Sequence, residues 1–247
     1  MSRATDECKR FLLVEGNDDV HVIGQLLKLS GVSTLRNLKK TSIKPSLQLY
    51  LNENIPLDIQ PCDGASPAIR DFTAKIKGFN SLEDSIGLVL DNDQGSNRVV
   101  QVKNAIDRII QETSQRFRWK LDRDYEILTP GGFIAEPDNA DTPQIGCWLM
   151  PDHQSYGMLE TFLATLVPET RRPLFDHAEK AAITAKKDFH APYQGCHEDK
   201  AVMHTYLAWQ DEPGKPFGLS FEQGSFDAQD TPAVLFVDWI KRLFKPK

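Results

Sequence analysis

Two groups of carboxylates in this sequence directly follow short apolar runs. Glu15 follows the run at 11–14, and Asp91 and Asp93 follow the run at 86–90. Asp91 and Asp93 are two residues apart, so they project to the same side of an extended segment. Asp19 lies four residues after Glu15, one helical turn away on the same face. Carboxylates that meet in a small volume repel each other, and a hard cation relieves that repulsion. The pattern predicts a Mg²⁺ site, which Mn²⁺ could also occupy.

Each of these carboxylates also has a simpler interpretation when it is taken alone. Acidic residues after strands commonly cap helices or stabilise turns, and Asn17 and Asp18 supply such helix-start chemistry. The joint pattern, with Gly16 and Gly95 following at two strand ends, favours the metal site.

The elements that must position these residues are read from the periodicity of apolar residues. We expect strands at 11–14, 55–62, 86–90, 125–128 and 145–149. We expect helices at about 17–31, 67–79, 96–115, 158–167, 171–187, 198–209 and 232–244. The polar, partly basic stretch 30–54 is interpreted as loop with one short helix.

Alternation of short apolar strands with amphipathic helices predicts an α/β fold, with a mostly parallel sheet flanked by helices. In such sheets ligands bind outside the carboxyl ends of the strands, where both acidic groups fall. The 247 residues are expected to form an α/β core at 1–168 and a mainly helical C-terminal extension, packed on the core, at 169–247.

The two acidic motifs resemble the paired signature of TOPRIM domains. That signature is a glutamate after strand one and Asp-x-Asp after strand three, matched here by Leu12-Leu13-Val14-Glu15-Gly16 and Leu90-Asp91-Asn92-Asp93. The resemblance covers about the first half of the chain and is nearest to small stand-alone and OLD-like TOPRIM proteins. It implies a Rossmann-like TOPRIM fold. It also implies Mg²⁺-dependent phosphodiester hydrolysis on DNA or RNA.

The resemblance also implies further site residues downstream. Asp152 or Glu160 could add a metal ligand, and Lys200 could be a catalytic cation that stabilises charge on the phosphate. Glu15 could act as a general base or as a ligand. For Glu160 the alternative is a helix-capping residue, and for Lys200 a solvated cation.

Several TOPRIM activities are disfavoured by what the chain lacks. The length leaves no room for the separate strand-passage domain of a topoisomerase, and the cysteine spacing excludes the zinc module of a bacterial primase. No GxxxxGK[ST] phosphate loop is present. The expected partner is therefore a separate ATPase subunit, as in some anti-phage defence pairs.

Two basic stretches are candidates for nucleic-acid contact. Arg116, Arg118 and Lys120 alternate with aromatic residues, a combination that can grip phosphates and stack bases. The second stretch contains Lys39 and Lys40, with Arg36 and Lys44 nearby. The alternative for either stretch is a solvated surface whose aromatic residues pack inward.

Charge and composition limit the remaining possibilities. The net charge of −6 and the pI near 5.5 argue against a protein that coats nucleic acid non-specifically, so such contact must be local or metal-assisted. No run of residues approaches the length of a membrane span, and we expect a cytoplasmic protein without membrane contact. The leading hypothesis is a Mg²⁺-dependent nuclease. The competing hypotheses are a non-catalytic regulatory module that binds metal or nucleotide, and a doubly wound domain with an unrelated small-molecule substrate.

Overall fold

The structure, a computed structural model, describes residues 9–40, 45–52, 54–80 and 83–245, with residues 34–40 and 45 described by their backbone. Its strands are β1 (Arg10–Val14), β2 (Ser33–Lys40), β3 (Pro45–Leu51), β4 (Ile55–Pro61), β5 (Ser85–Asp91), β6 (Phe133–Ala135) and β7 (Gln144–Met150). Its helices are α1 (Asn17–Leu29), α2 (Ala65–Lys77), α3 (Arg98–Thr113), α4 (Leu159–Thr165), α5 (Arg172–Phe189), α6 (Glu198–Ala208), α7 (Phe217–Ser220) and α8 (Thr231–Leu243).

The described strands form a seven-stranded sheet in the order β2-β3-β4-β1-β5-β7-β6. The four central strands are parallel to one another. β3 and β6 pair with their neighbours in the antiparallel sense, so these two run against the other five. The predicted α/β class, with helices around a mostly parallel sheet, is confirmed.

Successive residues of the central strands point to opposite faces of the sheet, as the pleat requires. Leu12 and Val14 of β1 face one hydrophobic cluster, and Leu13 faces the other. Helices α2 and α3 cover the second face, whereas α1 and the helices after β7 cover the first. This three-layer arrangement explains the continuous apolar runs that predicted buried strands.

The prediction of a loop with a short helix at 30–54 was wrong. Residues 33–40 and 45–51 are strands that pair with each other, and β3 joins the sheet beside β4. Leu47, Leu49 and Leu51 are buried at alternate positions, which is the period of a half-buried strand. The basic residues before them obscured that alternation.

The predicted strand at 125–128 is also wrong, because β6 lies at Phe133–Ala135 instead. Tyr125 donates its hydroxyl to Asp107 Oδ1 (2.7 Å), and the carbonyl of Ile127 bonds to the His153 ring. The Ile127 carbonyl, which a strand would present to a neighbouring backbone N–H, is thus occupied by a side chain. A stretch of four residues, of which three are apolar, does not by itself distinguish a strand from a buried loop.

Helix α8 packs directly on the sheet through a close approach at Gly87. A Cβ built at Gly87 would lie 2.8 Å from Leu243 Cδ2 and 2.7 Å from Leu12 Cδ1. Residues of α5, α6 and α8 share one hydrophobic cluster with α1 and the sheet. The division of the chain at residue 168 stays a prediction. Within the described ranges, no helix combines the length and the apolar character needed to cross a membrane.

Candidate functional site

Glu15 and Asp91 meet at the carboxyl ends of the neighbouring strands β1 and β5. The backbone N–H of Asp91 donates to Glu15 Oε1 at 2.9 Å. Asp91 Oδ1 in turn accepts from the backbone N–H of Leu159 at 3.0 Å, at the start of α4. The predicted proximity of Glu15 and Asp91 is therefore present, and Asp91 also connects β5 to α4.

Asp19 and Glu160 are buried carboxylates on the two helices next to these strand ends. Asp19 Oδ2 accepts from the backbone N–H of Gly16 at 2.9 Å, which fixes it at the first turn of α1. Only 8% of Asp19 and 7% of Glu160 is exposed to solvent. Each interacts electrostatically with Asp91, so the structure brings together carboxylates from β1, α1, β5 and α4.

Burial and mutual repulsion both oppose ionisation of these carboxyl groups. Burial, followed by the charges of Asp19, Glu15, Glu160 and Asp93, raises the pKa of Asp91 to about 8. Burial is also the main cause that raises the pKa of Asp19 to about 7, against the opposing hydrogen bond from Gly16.

Burial also raises the pKa of Glu15 and of Glu160. Lys200 acts in the opposite direction on both carboxyl groups. It is exposed on the first turn of α6 and therefore lies within electrostatic reach of two separate parts of the cluster. The catalytic role of Lys200 stays a prediction, with a solvated cation as its alternative.

Arg98, the first residue of α3, is the site residue that the sequence analysis missed. Its Nε–H donates to the carbonyl of Asp91 at 2.9 Å. One guanidinium nitrogen lies 3.8 Å from Glu15 Oε1 and 3.6 Å from Asp93 Oδ2. The side chain is 9% exposed, so a buried cation connects two of the predicted metal ligands.

A signal for Arg98 was present in the sequence. The N-terminal turn of a helix carries partial positive charge and disfavours a cation. Arg98 nevertheless occupies the first position of α3, and the first turn of this helix has no acidic residue. Such a misplaced cation indicates nearby anionic groups that compensate for it.

The donor set has the chemistry of a Mg²⁺ site, since hard cations prefer carboxylate oxygens. The side chains are, however, too far apart to bind an ion together. In the described part of the chain, no three or more His, Cys, Asp or Glu residues are close enough to hold one. Arg98 stands between Glu15 and Asp93. An ion would require the carboxylates to turn towards one another or Arg98 to withdraw.

Asp152, the alternative to Glu160, stabilises a turn instead. Its Oδ1 accepts from the backbone N–H groups of Gln154 (3.0 Å) and Ser155 (2.7 Å), and its Oδ2 accepts from the Ser155 hydroxyl. These hydrogen bonds lower its pKa despite partial burial. Hydrogen bonds within the turn thus hold both carboxylate oxygens of Asp152, whereas Glu160 is the one of the pair whose charge acts on Asp91.

The basic stretch with Arg116, Arg118 and Lys120 lies away from the carboxylates. The Arg118 backbone N–H bonds to Thr142 Oγ1, and Trp119 Nε1 to the carbonyl of Pro143, both at 2.8 Å. Pro143 directly precedes β7, so this stretch lies at the amino end of a strand about 20 Å long.

The aromatic rings in this stretch are also unavailable for stacking on bases. Phe117 is 1% exposed and Trp119 9%, and the two rings meet edge to face. Of the two interpretations of this stretch, the burial of these rings excludes stacking on bases, whereas phosphate contact by Arg116, Arg118 and Lys120 stays a prediction. The inward-packing alternative is the one found.

Lys39 and Lys40 end strand β2, which runs in the same direction as β1. Their strand therefore ends at the same edge of the sheet as Glu15. Three strand spacings, about 14 Å, separate β2 from β1. Lys44 lies outside the described residues. Nucleic-acid contact by Lys39 and Lys40 stays a prediction.

Comparison with known proteins finds a family match over almost the whole described chain. The model of a family described as "Protein of unknown function (DUF3226)" matches residues 9–245. No curated protein matches. One similar solved structure is a hypothetical protein from Pyrococcus horikoshii OT3, with 11% identity, coverage of 96% of this chain and 95% of that one, and a TM-score of 0.44. Another is a GDP-bound mutant of NFeoB from S. thermophilus, with 10% identity, coverage of 95% and 88%, and a TM-score of 0.24. On the strength of the family match, this chain belongs to the DUF3226 family.

Proposed function

We propose that this protein is a Mg²⁺-dependent phosphodiesterase of the TOPRIM type that cleaves DNA or RNA. The observation that carries the proposal is the group of carboxylates at the carboxyl edge of the sheet: Glu15, Asp19, Asp91, Asp93 and Glu160. Burial raises the pKa of four of them. Carboxyl groups whose pKa values are perturbed by burial and by neighbouring charges are typical of functional sites. A bound cation would make the ionised cluster stable.

Glu15, Asp19, Asp91, Asp93 and Glu160 are the residues that would hold Mg²⁺ or Mn²⁺. When bound, the ion would supply an activated water and neutralise charge that develops on the phosphate. Glu15, partly exposed at the end of β1, would accept a proton from that water or serve as a ligand.

Lys200 would bind and neutralise the phosphate. It is exposed, and its charge acts on both Glu15 and Glu160. A cation so placed can stabilise negative charge on a transferring phosphoryl group or a leaving oxygen. Arg98 is buried and bonded to the backbone of Asp91, so its role would be to position Glu15 and Asp93.

A second candidate function is a non-catalytic module that binds metal or nucleotide for regulation. The specific observation in its favour is Arg98, whose guanidinium group lies 3.8 Å from Glu15 Oε1 and 3.6 Å from Asp93 Oδ2 and so compensates both charges. In this module, metal binding would release Arg98 and change the surface offered to a partner. The partner that we propose for either function is a separate ATPase subunit.

The decisive experiment is cleavage of linear, nicked, single-stranded and RNA substrates with Mg²⁺ or Mn²⁺, with and without a candidate ATPase. Glu15→Gln and Asp91→Asn should each reduce cleavage by about 100-fold or more, because each removes a proton acceptor or a ligand. Lys200→Ala should reduce it as well, with Lys200→Arg less affected.

Asp238→Asn is the matched control, since Asp238 is an exposed carboxylate on α8 that pairs with Lys241. Its cleavage rate should equal that of the wild type. Cleavage that persists unchanged in Glu15→Gln and Asp91→Asn would refute the nuclease. Metal binding measured by calorimetry without any turnover, in the presence of the ATPase, would favour the regulatory module.

A further inference from the structure

A cavity of about 430 Å³ lies directly beside the carboxylate cluster. Three segments line it: the loop after β5 with Asp93 and Gly95, the loop before α4 with Tyr156 and Met158, and the stretch 195–199, which runs from the turn with Cys196 to Asp199 at the start of α6. Asp93 belongs to both sites, since it also faces Arg98 at 3.6 Å. A ligand in the cavity would therefore lie next to any group that the carboxylates act on.

Hydrogen bonds hold two of these segments together. Asn92 and Gly157 exchange backbone hydrogen bonds of 2.9 and 3.1 Å, and Asn92 Nδ2 donates to the carbonyl of Ser155 at 2.8 Å. These contacts fix the loop that carries Tyr156 against the end of β5. The position of the Tyr156 backbone therefore does not depend on a ligand.

The third segment is tied to the second through Thr161 of α4. Its hydroxyl bonds to Asp199 Oδ2 and also accepts from the backbone N–H of Met158, the latter at 3.0 Å. Gly157 is required here, because its φ is +155° and a Cβ would lie 2.8 Å from Thr161 Oγ1. The cavity walls are thus built by specific contacts among all three segments.

The lining of the cavity selects the chemical class of the ligand. Its charged side chains are Asp93 and Asp199, both acidic, so a phosphate group would be repelled from its interior. Tyr156 is 65% exposed and offers an aromatic face. Acceptor oxygens beside an aromatic ring suit a flat group that carries N–H donors, as nucleobases do.

The cation that could bind a phosphate lies next to the cavity instead. Lys200 follows Asp199 directly in α6, and its charge acts on Glu15 and Glu160. A nucleotide could therefore place its base in the cavity and its phosphate between Lys200 and the carboxylates. A base that is stacked and paired within a duplex cannot present its face in this way.

We propose that this cavity binds the base of an unpaired nucleotide by stacking on Tyr156, so that the substrate is a single-stranded or locally unpaired nucleic acid. The proposal rests on the proposed function for the placement of the phosphate. The base-binding cavity itself can be tested without cleavage.

The test compares two short single-stranded oligonucleotides of equal length and charge, one with bases and one fully abasic. Binding is measured by fluorescence anisotropy with Ca²⁺ in place of Mg²⁺, and a duplex of the same sequence is measured alongside. Wild-type protein should bind the strand with bases roughly 5- to 150-fold more tightly than the abasic strand, the range expected for stacking of one base on an aromatic ring. It should also prefer that strand to the duplex.

The variants assign this preference to Tyr156. Tyr156→Ala should remove most of the difference between the two strands, whereas Tyr156→Phe should keep it because the ring is retained. Trp209→Ala is the matched control, an exposed aromatic residue (41%) just beyond the far end of α6. It should bind both strands as the wild type does.

Two results would overturn the proposal: equal binding of both strands by the wild type, or a full difference that persists in Tyr156→Ala. The proposed nuclease is judged separately by the cleavage of Asp91→Asn. Base-dependent binding without cleavage would uphold the cavity and refute the nuclease. Cleavage that depends on Asp91 without base-dependent binding would uphold the nuclease and refute the cavity.

Discussion

At the scale of single residues, the candidate site combines buried carboxyl groups with the buried guanidinium group of Arg98. Arg98 contacts Glu15, Asp93 and the backbone of Asp91, while like charges and burial hold the pKa of Asp91 near 8. Removing one partner from a buried ionic network is costly because the other charges lose their compensation. The site is therefore expected to be sensitive to the loss of any one of these charges.

Replacement of Arg98 measures that compensation. Arg98→Leu should lower the free energy of unfolding by about 2 kcal/mol, below the range for fully buried pairs because Glu15 and Asp93 are partly exposed. Arg98→Lys should lose less, since it keeps the charge but not the fork geometry. Urea denaturation at pH 7.5 measures both. An unchanged midpoint for Arg98→Leu would show that the guanidinium does not stabilise the cluster.

His153 should make stability depend on pH. The ring is fully buried, Nδ1 accepts from the Leu149 N–H (2.9 Å), and Nε2 faces the carbonyl of Ile127 (2.6 Å). This arrangement requires a neutral ring, and burial lowers its pKa to about 4. The folded pKa is below the unfolded value near 6.5, so the stability that His153 contributes is complete above about pH 6.5 and is lost as pH falls towards 4.

The contribution of His153 is expected to fall by about 3 kcal/mol over that interval. Because the raised pKa values of Asp19 and Asp91 act in the opposite direction over the same pH range, this loss is measured as the difference between wild type and His153→Asn in urea denaturation at several pH values. His153→Asn should be less stable at pH 7.5 and should lose much of the pH dependence. His190→Asn is the matched control, because both histidines have left-handed backbones (φ 63° and 57°) but His190 is exposed. A wild-type pH profile that His153→Asn leaves unchanged would contradict the assignment.

At the scale of elements, close contacts decide how the C-terminal helices meet the sheet. Helix α8 lies over β5 and β7, and Gly87 leaves the room that Leu243 and Leu12 occupy. A methyl group there would force side chains out of their preferred rotamers, because protein interiors have few voids. The contact between α8 and the sheet is thus sensitive to one carbon atom.

Gly87→Ala should therefore destabilise the protein by about 1–3 kcal/mol, the usual cost of overpacking. Gly195→Ala is the control, since a Cβ at Gly195 meets nothing within 4 Å and its backbone is not left-handed. Thermal unfolding followed by circular dichroism measures both variants. Equal melting temperatures for wild type and Gly87→Ala would show that α8 can move away from the sheet at little cost.

At the scale of the whole molecule, the proposed ion would connect carboxylates from β1, α1, β5 and α4. A ligand that binds only the folded state stabilises it by about 2.7 kcal/mol when its concentration is 100 times the dissociation constant. For a chain of this size that corresponds to a rise in melting temperature of roughly 5–10 °C. Most of this stabilisation should depend on Asp91.

Mg²⁺ should accordingly raise the melting temperature of the wild type and leave that of Asp91→Asn nearly unchanged. NaCl at matched ionic strength serves as the control for non-specific screening. Differential scanning calorimetry gives the comparison. Equal shifts in both proteins would argue against a specific ion at these carboxylates.

Local pattern along the chain was enough to predict that Glu15 and Asp91 lie close together. Glu15 and Asp91 end apolar runs, and parallel strands bring their carboxyl ends to one edge, so local pattern predicted a long-range contact. The same reasoning failed at β2 and β3, where basic residues masked the alternation of Leu47, Leu49 and Leu51.

The surroundings of those carboxylates, by contrast, could be read only from the three-dimensional arrangement. Arg98 compensates Glu15 and Asp93, Trp119 is buried at the opposite edge of the sheet, and Tyr156 lies exposed in a cavity beside Asp93. The direction in which each of these side chains points depends on strand order and on which helices cover each face. Strand order and helix packing are set by contacts between distant segments, which periodicity along the chain does not record.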